Sequence, residues 1–206
     1  MKKMVMLTAA AVVLALGVLI GVTGVAYLPV SIALGPCLRD WTSPSSYGTR
    51  ASPLASTTFG VGSGTVRVCY GRPAARGRTV FGGLVPFGRL WRTGANEPTR
   101  LYTDTDLSIA GIRVPRGRYA LYTVPGPDKW EVRLSRSILH WGNDISPAVQ
   151  SREIGHAEVP SDSSISYVEA FTVRTAPASG DEVHLILEWE STRVVIPIRP
   201  APAPGQ

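Results

Sequence analysis

The chain contains few of the residues from which hydrolytic and metal-dependent sites are built. Three histidines (His140, His156 and His184) and two cysteines (Cys37 and Cys69) are spread along 206 residues. They do not have the short spacings with which three or four side chains hold a zinc ion. The Gly-x-Ser-x-Gly turn that presents a nucleophilic serine is also missing. The sequence therefore predicts no catalytic residue, no metal site and no cofactor.

Lysine is nearly absent too. Lys2, Lys3 and Lys129 are the only lysines among 21 basic residues, so 18 are arginines, and the net charge is +6. Arginine binds carboxylates and phosphates through paired hydrogen bonds, which gives this bias a functional interpretation as anion recognition. An arginine bias of the genome is the alternative interpretation. A nucleic-acid partner is not expected, because stacking aromatic residues are not interleaved with the basic ones.

The N-terminal segment also lacks charge, between Lys3 and Arg39. Residues 5–28 are strongly apolar over about 24 positions, and about 20 residues of helix span a bilayer. Because Lys2 and Lys3 precede this run, we expect a single-pass anchor in the cell membrane, with a cytoplasmic N-terminus and a periplasmic domain. The alternative is a signal peptide cleaved after Ala26, which would also export the domain.

The first prediction concerns this topology. If residues 1–28 form a retained anchor, N-terminal sequencing of the protein from isolated membranes should return Met1 or Lys2. A mature start near Tyr27 or Leu34 would show instead that the segment is removed.

The two cysteines fit an exported domain. Pairs of cysteines in oxidising compartments often form disulfides, and Cys37 and Cys69 are candidates for one. Closing that loop would stabilise the domain by about 3–4 kcal/mol on a chain-entropy argument. The alternative is two independent thiols.

Alternating apolar and polar residues dominate the remainder of the chain. Residues 183–189 give the clearest pattern, with Val183, Leu185, Leu187 and Trp189 at every second position, which is typical of a half-buried strand. About eight such short strands predict a mainly β domain, an antiparallel β-sandwich or jelly roll, over residues 65–199. Residues 29–64 have the composition of a stalk and lead-in, residues 139–160 that of a long loop with one helical turn near 146–153, and residues 200–206 that of a flexible tail.

Residues 70–98 (YGRPAARGRTVFGGLVPFGRLWRTGANEP), hereafter the signature loop, have the most unusual composition. One interpretation makes them a ligand- or partner-binding site, in which arginine side chains converge with an amide and an acid while tryptophans stack on the ligand. The candidate residues are Arg72, Arg78, Trp91, Arg92, Asn96, Glu97 and Trp141. The other interpretation is structural. Phe81, Leu84, Phe87, Leu90 and Trp91 would plug one end of the sandwich, and the arginines would cap backbone carbonyls.

The signature loop, with GIRVPRGRYALYTVPG, WEVRL, HWGND and LILEWESTRVVIPI, resembles the bacterial domain-of-unknown-function family 2911. The resemblance covers about residues 52–198 and departs from the family pattern at Phe87, where tyrosine is expected, and at Arg76, where lysine is expected. It implies an exported β-rich domain and no particular activity.

Three functions are compatible with these features. The first is a non-enzymatic accessory subunit, anchored by one helix in a larger respiratory, photosynthetic or transport assembly. The second is an extracytoplasmic binding module for an anionic or sugar-like ligand. The third is a hydrolase whose catalytic residues follow no recognised motif. The partners expected are the membrane and other membrane-complex subunits.

Overall fold

The structure, a computed structural model, describes Cys37, residues 50–138 and residues 145–202. The predicted anchor, most of the stalk, Trp141 and the end of the tail lie outside these residues. Within the described part, no helix has the length and apolarity needed to cross a bilayer. Both cysteines, Cys37 and Cys69, are disulfide-bonded.

Eleven strands and one short helix make up the described elements. The strands are β1 (Leu54–Val61), β2 (Gly64–Gly71), β3 (Thr99–Thr103), β4 (Leu107–Ile109), β5 (Ile112–Val114), β6 (Gly117–Val124), β7 (Lys129–Ser135), β8 (Glu153–Asp162), β9 (Val168–Pro177), β10 (Val183–Glu190) and β11 (Thr192–Pro200). The helix α1 is Pro147–Gln150. All strand pairs are antiparallel, so the prediction of a mainly β, antiparallel domain is confirmed.

These strands form a continuous sheet instead of the two separate sheets of a sandwich. Their order is β1-β2-β3-β6-β7-β8-β11-β10-β9, with the β4–β5 hairpin attached to β11. Strand β8 joins the two halves, because it pairs with β7 over most of its length and with β11 through Ser161 and Asp162. The edge strands β1 and β9 contact each other, and Ala74, just after β2, bridges Ala170 of β9. The result is a nearly closed barrel.

The barrel interior is filled by the stripes that the alternation predicts. Val66 and Val68 of β2, Trp130 and Val132 of β7, and Trp189 of β10 are all buried in one cluster. Alternate residues of a strand point to opposite faces, so each stripe fixes which face of its strand turns inward. Burial of these stripes sets the strand register, since a slip of one residue would expose the whole set.

Two strands lie where the sequence predicted irregular structure. Strand β1 occupies part of the predicted stalk and lead-in, and β8 occupies part of the long loop predicted over residues 139–160. The predicted helical turn near residues 146–153 corresponds to α1. Val159 is the buried residue of β8, and its partly buried residues include Ile154, Gly155 and Ala157, so no strong alternating apolar pattern results. Gly155 is required there, because an added Cβ would come within 2.8 Å of Ile112 on β5.

Candidate functional site

The signature loop leaves β2 at one end of the barrel, crosses that end and returns as β3. Backbone hydrogen bonds attach it to the end of β6: Trp91 exchanges two with Thr123, at 2.8 and 3.0 Å, and the Gly88 N–H donates to the Pro125 carbonyl. Where the loop returns, Ala95 lies so close to Gly71 that a Cβ on Gly71 would fall 1.9 Å from the Ala95 oxygen. The loop backbone is therefore held rigidly against the barrel.

Glu190 holds the loop from the opposite side. It lies in the two-residue turn between β10 and β11 with φ at 51°, a left-handed conformation that costs a residue with a side chain free energy. Its Oε2 accepts hydrogen bonds from the backbone N–H groups of Val80 (2.9 Å) and Phe81 (3.3 Å). Two hydrogen bonds to a charged acceptor offset the strain of the turn.

Aromatic rings beneath the loop form the floor of this end of the barrel. Phe81 packs edge-on against Trp130 with centroids 4.8 Å apart, and Trp91 stacks on Trp189 at 5.9 Å. The Trp91 indole N–H donates to the Gly94 carbonyl, so both the ring and its donor are already engaged. Trp91 is therefore part of the core and offers no face to a ligand.

The plug expected from the apolar residues of the loop is only partly formed. Phe81 and Trp91 are buried, and Leu90 packs with Ile138 and Ile145 on a smaller cluster around Tyr122. Leu84 and Phe87, in contrast, are 46% and 45% exposed. The prediction that these two side chains plug the barrel is wrong, because the tight backbone hydrogen bonds between residues 79 and 85 turn that segment outward.

The three candidate arginines do not converge. Arg78 donates from Nε to the Ala75 carbonyl and from Nη2 to the Ala74 carbonyl, both at 2.8 Å, and so caps backbone carbonyls. Arg72 is exposed and reaches the Thr172 hydroxyl only at 3.5 Å. Arg92 lies elsewhere, close enough to Glu97 for their charges to interact.

Three of the candidates do lie together: Arg92, Asn96 and Glu97. Their partner is Arg50, which the sequence did not indicate. Arg50 Nη2 lies 2.6 Å from Glu97 Oε2, and their side chains are 2% and 3% exposed. The Asn96 amide donates to the Ser52 carbonyl at 3.3 Å. Burial lowers the pKa of Arg92, and the charge of Glu97 opposes that effect. The buried Arg50–Glu97 ion pair and the Asn96 hydrogen bond therefore join the signature loop to the segment before β1.

Among the described residues, no group of three or more His, Cys, Asp or Glu side chains could hold a metal ion. His156 pairs with Glu153 and His184 with Glu182. Trp141, the remaining candidate from the sequence, lies outside the described residues.

An open cleft of about 340 Å³ adjoins the signature loop at this end of the barrel. Phe87 and Tyr167 stand half-exposed in its lining, while Phe81 and Trp130 are buried. Two carboxylates, Asp128 and Glu190, and the hydroxyls of Ser163, Ser191 and Thr192 also line it. Among the described residues, the lining includes no lysine or arginine.

A second cleft of about 510 Å³ continues from the first. The two share Phe87 and residues 126–128, so they flank the same ring and turn. The second lining adds Lys129, Glu131 and Glu158, and Lys129 is paired with Glu158 at 2.7 Å. The sequence did not indicate Asp128, Tyr167 and Glu190 as site residues. Each lies near a different connection between strands, so no local pattern links them.

A family model described as "Protein of unknown function (DUF2911)" matches residues 52–198, and the chain belongs to this family. The resemblance inferred from the signature loop is thereby confirmed. No curated protein and no solved structure matches the chain. The family description names no activity, so membership alone does not assign a function to the chain.

Proposed function

We propose that the chain is a membrane-anchored, extracytoplasmic accessory protein that presents its signature loop to other subunits of a membrane protein assembly. The observation that carries the proposal is the exposure of Leu84 and Phe87 on a loop whose backbone is otherwise fixed. The anchor at residues 1–28 and the periplasmic location of the barrel, both inferred from the sequence, are part of this proposal.

A rigid loop with apolar side chains suits protein recognition. Val85 and Leu84 donate backbone hydrogen bonds to Val80 and Thr79, at 2.7 and 3.1 Å, so residues 79–85 form a compact turn. Leu84 protrudes from that turn while Val80 and Val85 are buried beneath it. A preorganised apolar side chain loses little conformational entropy when a partner covers it, which favours its use as a contact residue.

The second prediction tests this docking surface. Replacing Leu84 with aspartate places a charge in the proposed contact, so proteins that co-purify with the full-length chain from solubilised membranes should be lost. Ser179→Asp is the matched control, because it adds the same charge on an exposed residue. Ser179 lies in the turn between β9 and β10, at the end of these strands that is far from Glu190 and the signature loop. Quantitative mass spectrometry of the purified material compares the two variants. An identical set of proteins with both variants would exclude the signature loop as the docking surface.

A binding module is the second candidate function. Its support is the cleft beside the signature loop, since the mouths of β-barrels are common positions for small-molecule sites. The anionic ligand that the arginine content suggested is not favoured here, because Asp128 and Glu190 are the charged side chains in the described lining.

A further inference from the structure

The aromatic residues of the cleft are arranged to contact a flat apolar face. Phe87 and Tyr167 keep 45% and 56% of their surface exposed, in a concavity that also includes the buried Phe81 and Trp130. Exposed aromatic rings beside polar groups are typical of recognition sites. They suit a ligand that has one apolar face, such as the C–H face of a sugar ring.

One of the two carboxylates in the cleft is held in place before any ligand arrives. The Glu190 carboxylate accepts hydrogen bonds from the backbone N–H groups of Val80 and Phe81. For Asp128 the fold fixes the backbone, whose carbonyl accepts from the Ser161 N–H, while the side chain is exposed. A ligand that donates to Glu190 would therefore lose little free energy to ordering it.

Donors also line the cleft. The hydroxyls of Ser163, Ser191 and Thr192 are part of its lining, and a hydroxyl can both donate and accept a hydrogen bond. A ligand that carries oxygen atoms would therefore find donors there as well as the two carboxylates.

The combination of donors and acceptors selects among three classes of ligand. An anion is disfavoured, because the described lining contains two carboxylates and no basic side chain. A simple cation would satisfy Asp128 and Glu190 but brings no acceptor for the hydroxyls of the lining, and the chain itself has a net charge of +6. A neutral hydroxyl both donates and accepts, so it meets both requirements.

We propose that this cleft is a carbohydrate-binding site for a neutral saccharide. Its ring would lie against Phe87 and Tyr167, with hydroxyl groups directed to Asp128 and Glu190 and ring oxygens accepting from the hydroxyls of the lining. The second cleft, which shares Phe87 with the first, has room for a further sugar unit. This inference rests on the binding-module candidate. It shares Phe87 with the docking surface but not Leu84, which lies outside the lining of both clefts.

The test uses three sets of oligosaccharides that differ mainly in charge. These are neutral oligomers of glucose and N-acetylglucosamine, anionic oligomers of galacturonate, and cationic oligomers of glucosamine. Binding to the full-length protein is measured by calorimetry in a detergent without a sugar head group, since such a head group would compete. We expect at least one neutral oligomer to bind more tightly than the charged ones.

Two variants place that binding in the cleft. Tyr167→Ala removes an aromatic face and Asp128→Asn removes a charged acceptor, and each should weaken binding of the neutral oligomer about tenfold or more. Ser179→Ala is the control, because it truncates an exposed side chain outside both clefts and the docking surface and should leave the affinity unchanged. Circular dichroism confirms that each variant is folded.

The remaining outcomes separate the two proposals. Tighter binding of a charged set, with the same dependence on Tyr167, would keep the binding module and overturn the neutral saccharide. Failure of every neutral oligomer to bind, or full affinity in Tyr167→Ala, would overturn the carbohydrate site. Neither result affects the docking surface, which depends on whether Leu84→Asp loses the co-purifying proteins.

Discussion

Replacing Trp189 with alanine should destabilise the protein by about 3–5 kcal/mol, the usual cost of removing a fully buried large aromatic side chain. Trp189 is 2% exposed and packs against Trp91, Phe81 and Phe171. Its indole N–H also donates to the Glu169 carbonyl at 3.2 Å. The substitution therefore leaves a cavity beneath the signature loop and removes one of two hydrogen bonds to the Glu169 carbonyl, which also accepts from the Ala75 N–H at 2.8 Å.

Denaturant unfolding of the full-length protein, followed by far-ultraviolet circular dichroism, measures this loss. Phe87→Ala is the matched control, because it also removes an aromatic ring but from a side chain that is 45% exposed. We expect a change of about 0.5 kcal/mol or less for the control, as for most surface substitutions. An unchanged midpoint for Trp189→Ala would contradict the placement of the ring in the core.

Trp189 also illustrates what the sequence was able to predict. Its strand has an uninterrupted stripe of large apolar residues, and so does β7 with Trp130, Val132 and Leu134. Such stripes reveal a strand and its inward face because burial of large side chains dominates the local free energy. The mainly β, antiparallel class follows from these strands alone.

Strands β1 and β8 could not be identified in the same way. Gly155 and Ala157 of β8 and Thr57 of β1 are partly buried beside larger apolar residues of the same strands. Such small and polar residues interrupt the apolar pattern, and these strands form because neighbouring strands pair with them. Since β8 connects the two halves of the sheet, missing it also meant expecting a sandwich where a nearly closed barrel forms.

The candidate sites likewise contain residues that are close in the chain and residues that only the fold brings together. Of the candidate residues in the signature loop, the structure brings together Arg92, Asn96 and Glu97, which are close in the chain, but not Arg72 and Arg78. Arg50, 47 residues before Glu97, lies in a segment rich in serine and proline where no pattern marks a buried arginine. The cleft residues Asp128, Tyr167 and Glu190 belong to three turns, and only the folded barrel brings them to one place.

The pair formed by Arg50 and Glu97 leads to the last prediction. Replacing Glu97 with glutamine keeps the shape of the side chain but removes its charge, so the buried guanidinium of Arg50 loses its counter-ion. Breaking a buried ion pair by removing one member typically costs about 3–5 kcal/mol. The effect should be at the upper end, because Arg92 is also desolvated near Glu97 and has a buried Nε without a hydrogen-bond partner.

Glu158→Gln is the matched control for this substitution. Glu158 pairs with Lys129 at 2.7 Å, a distance similar to that of the buried pair, but the side chains are 61% and 64% exposed. Water screens such a pair, so its loss should cost about 1 kcal/mol or less. Both variants replace glutamate with glutamine in an ion pair. The difference between their free energies of unfolding therefore measures the effect of burial.

Arg92→Ala then distinguishes the structural and binding interpretations of the signature loop. Its removal leaves the Arg50–Glu97 pair intact and eliminates a partly buried cation, so it should destabilise the protein less than Glu97→Gln does. If Arg92→Ala unfolds at the same denaturant concentration as the parent but no longer retains its membrane partner, the structural interpretation of this residue is wrong. Arg92 would then belong to the recognition surface, together with Leu84.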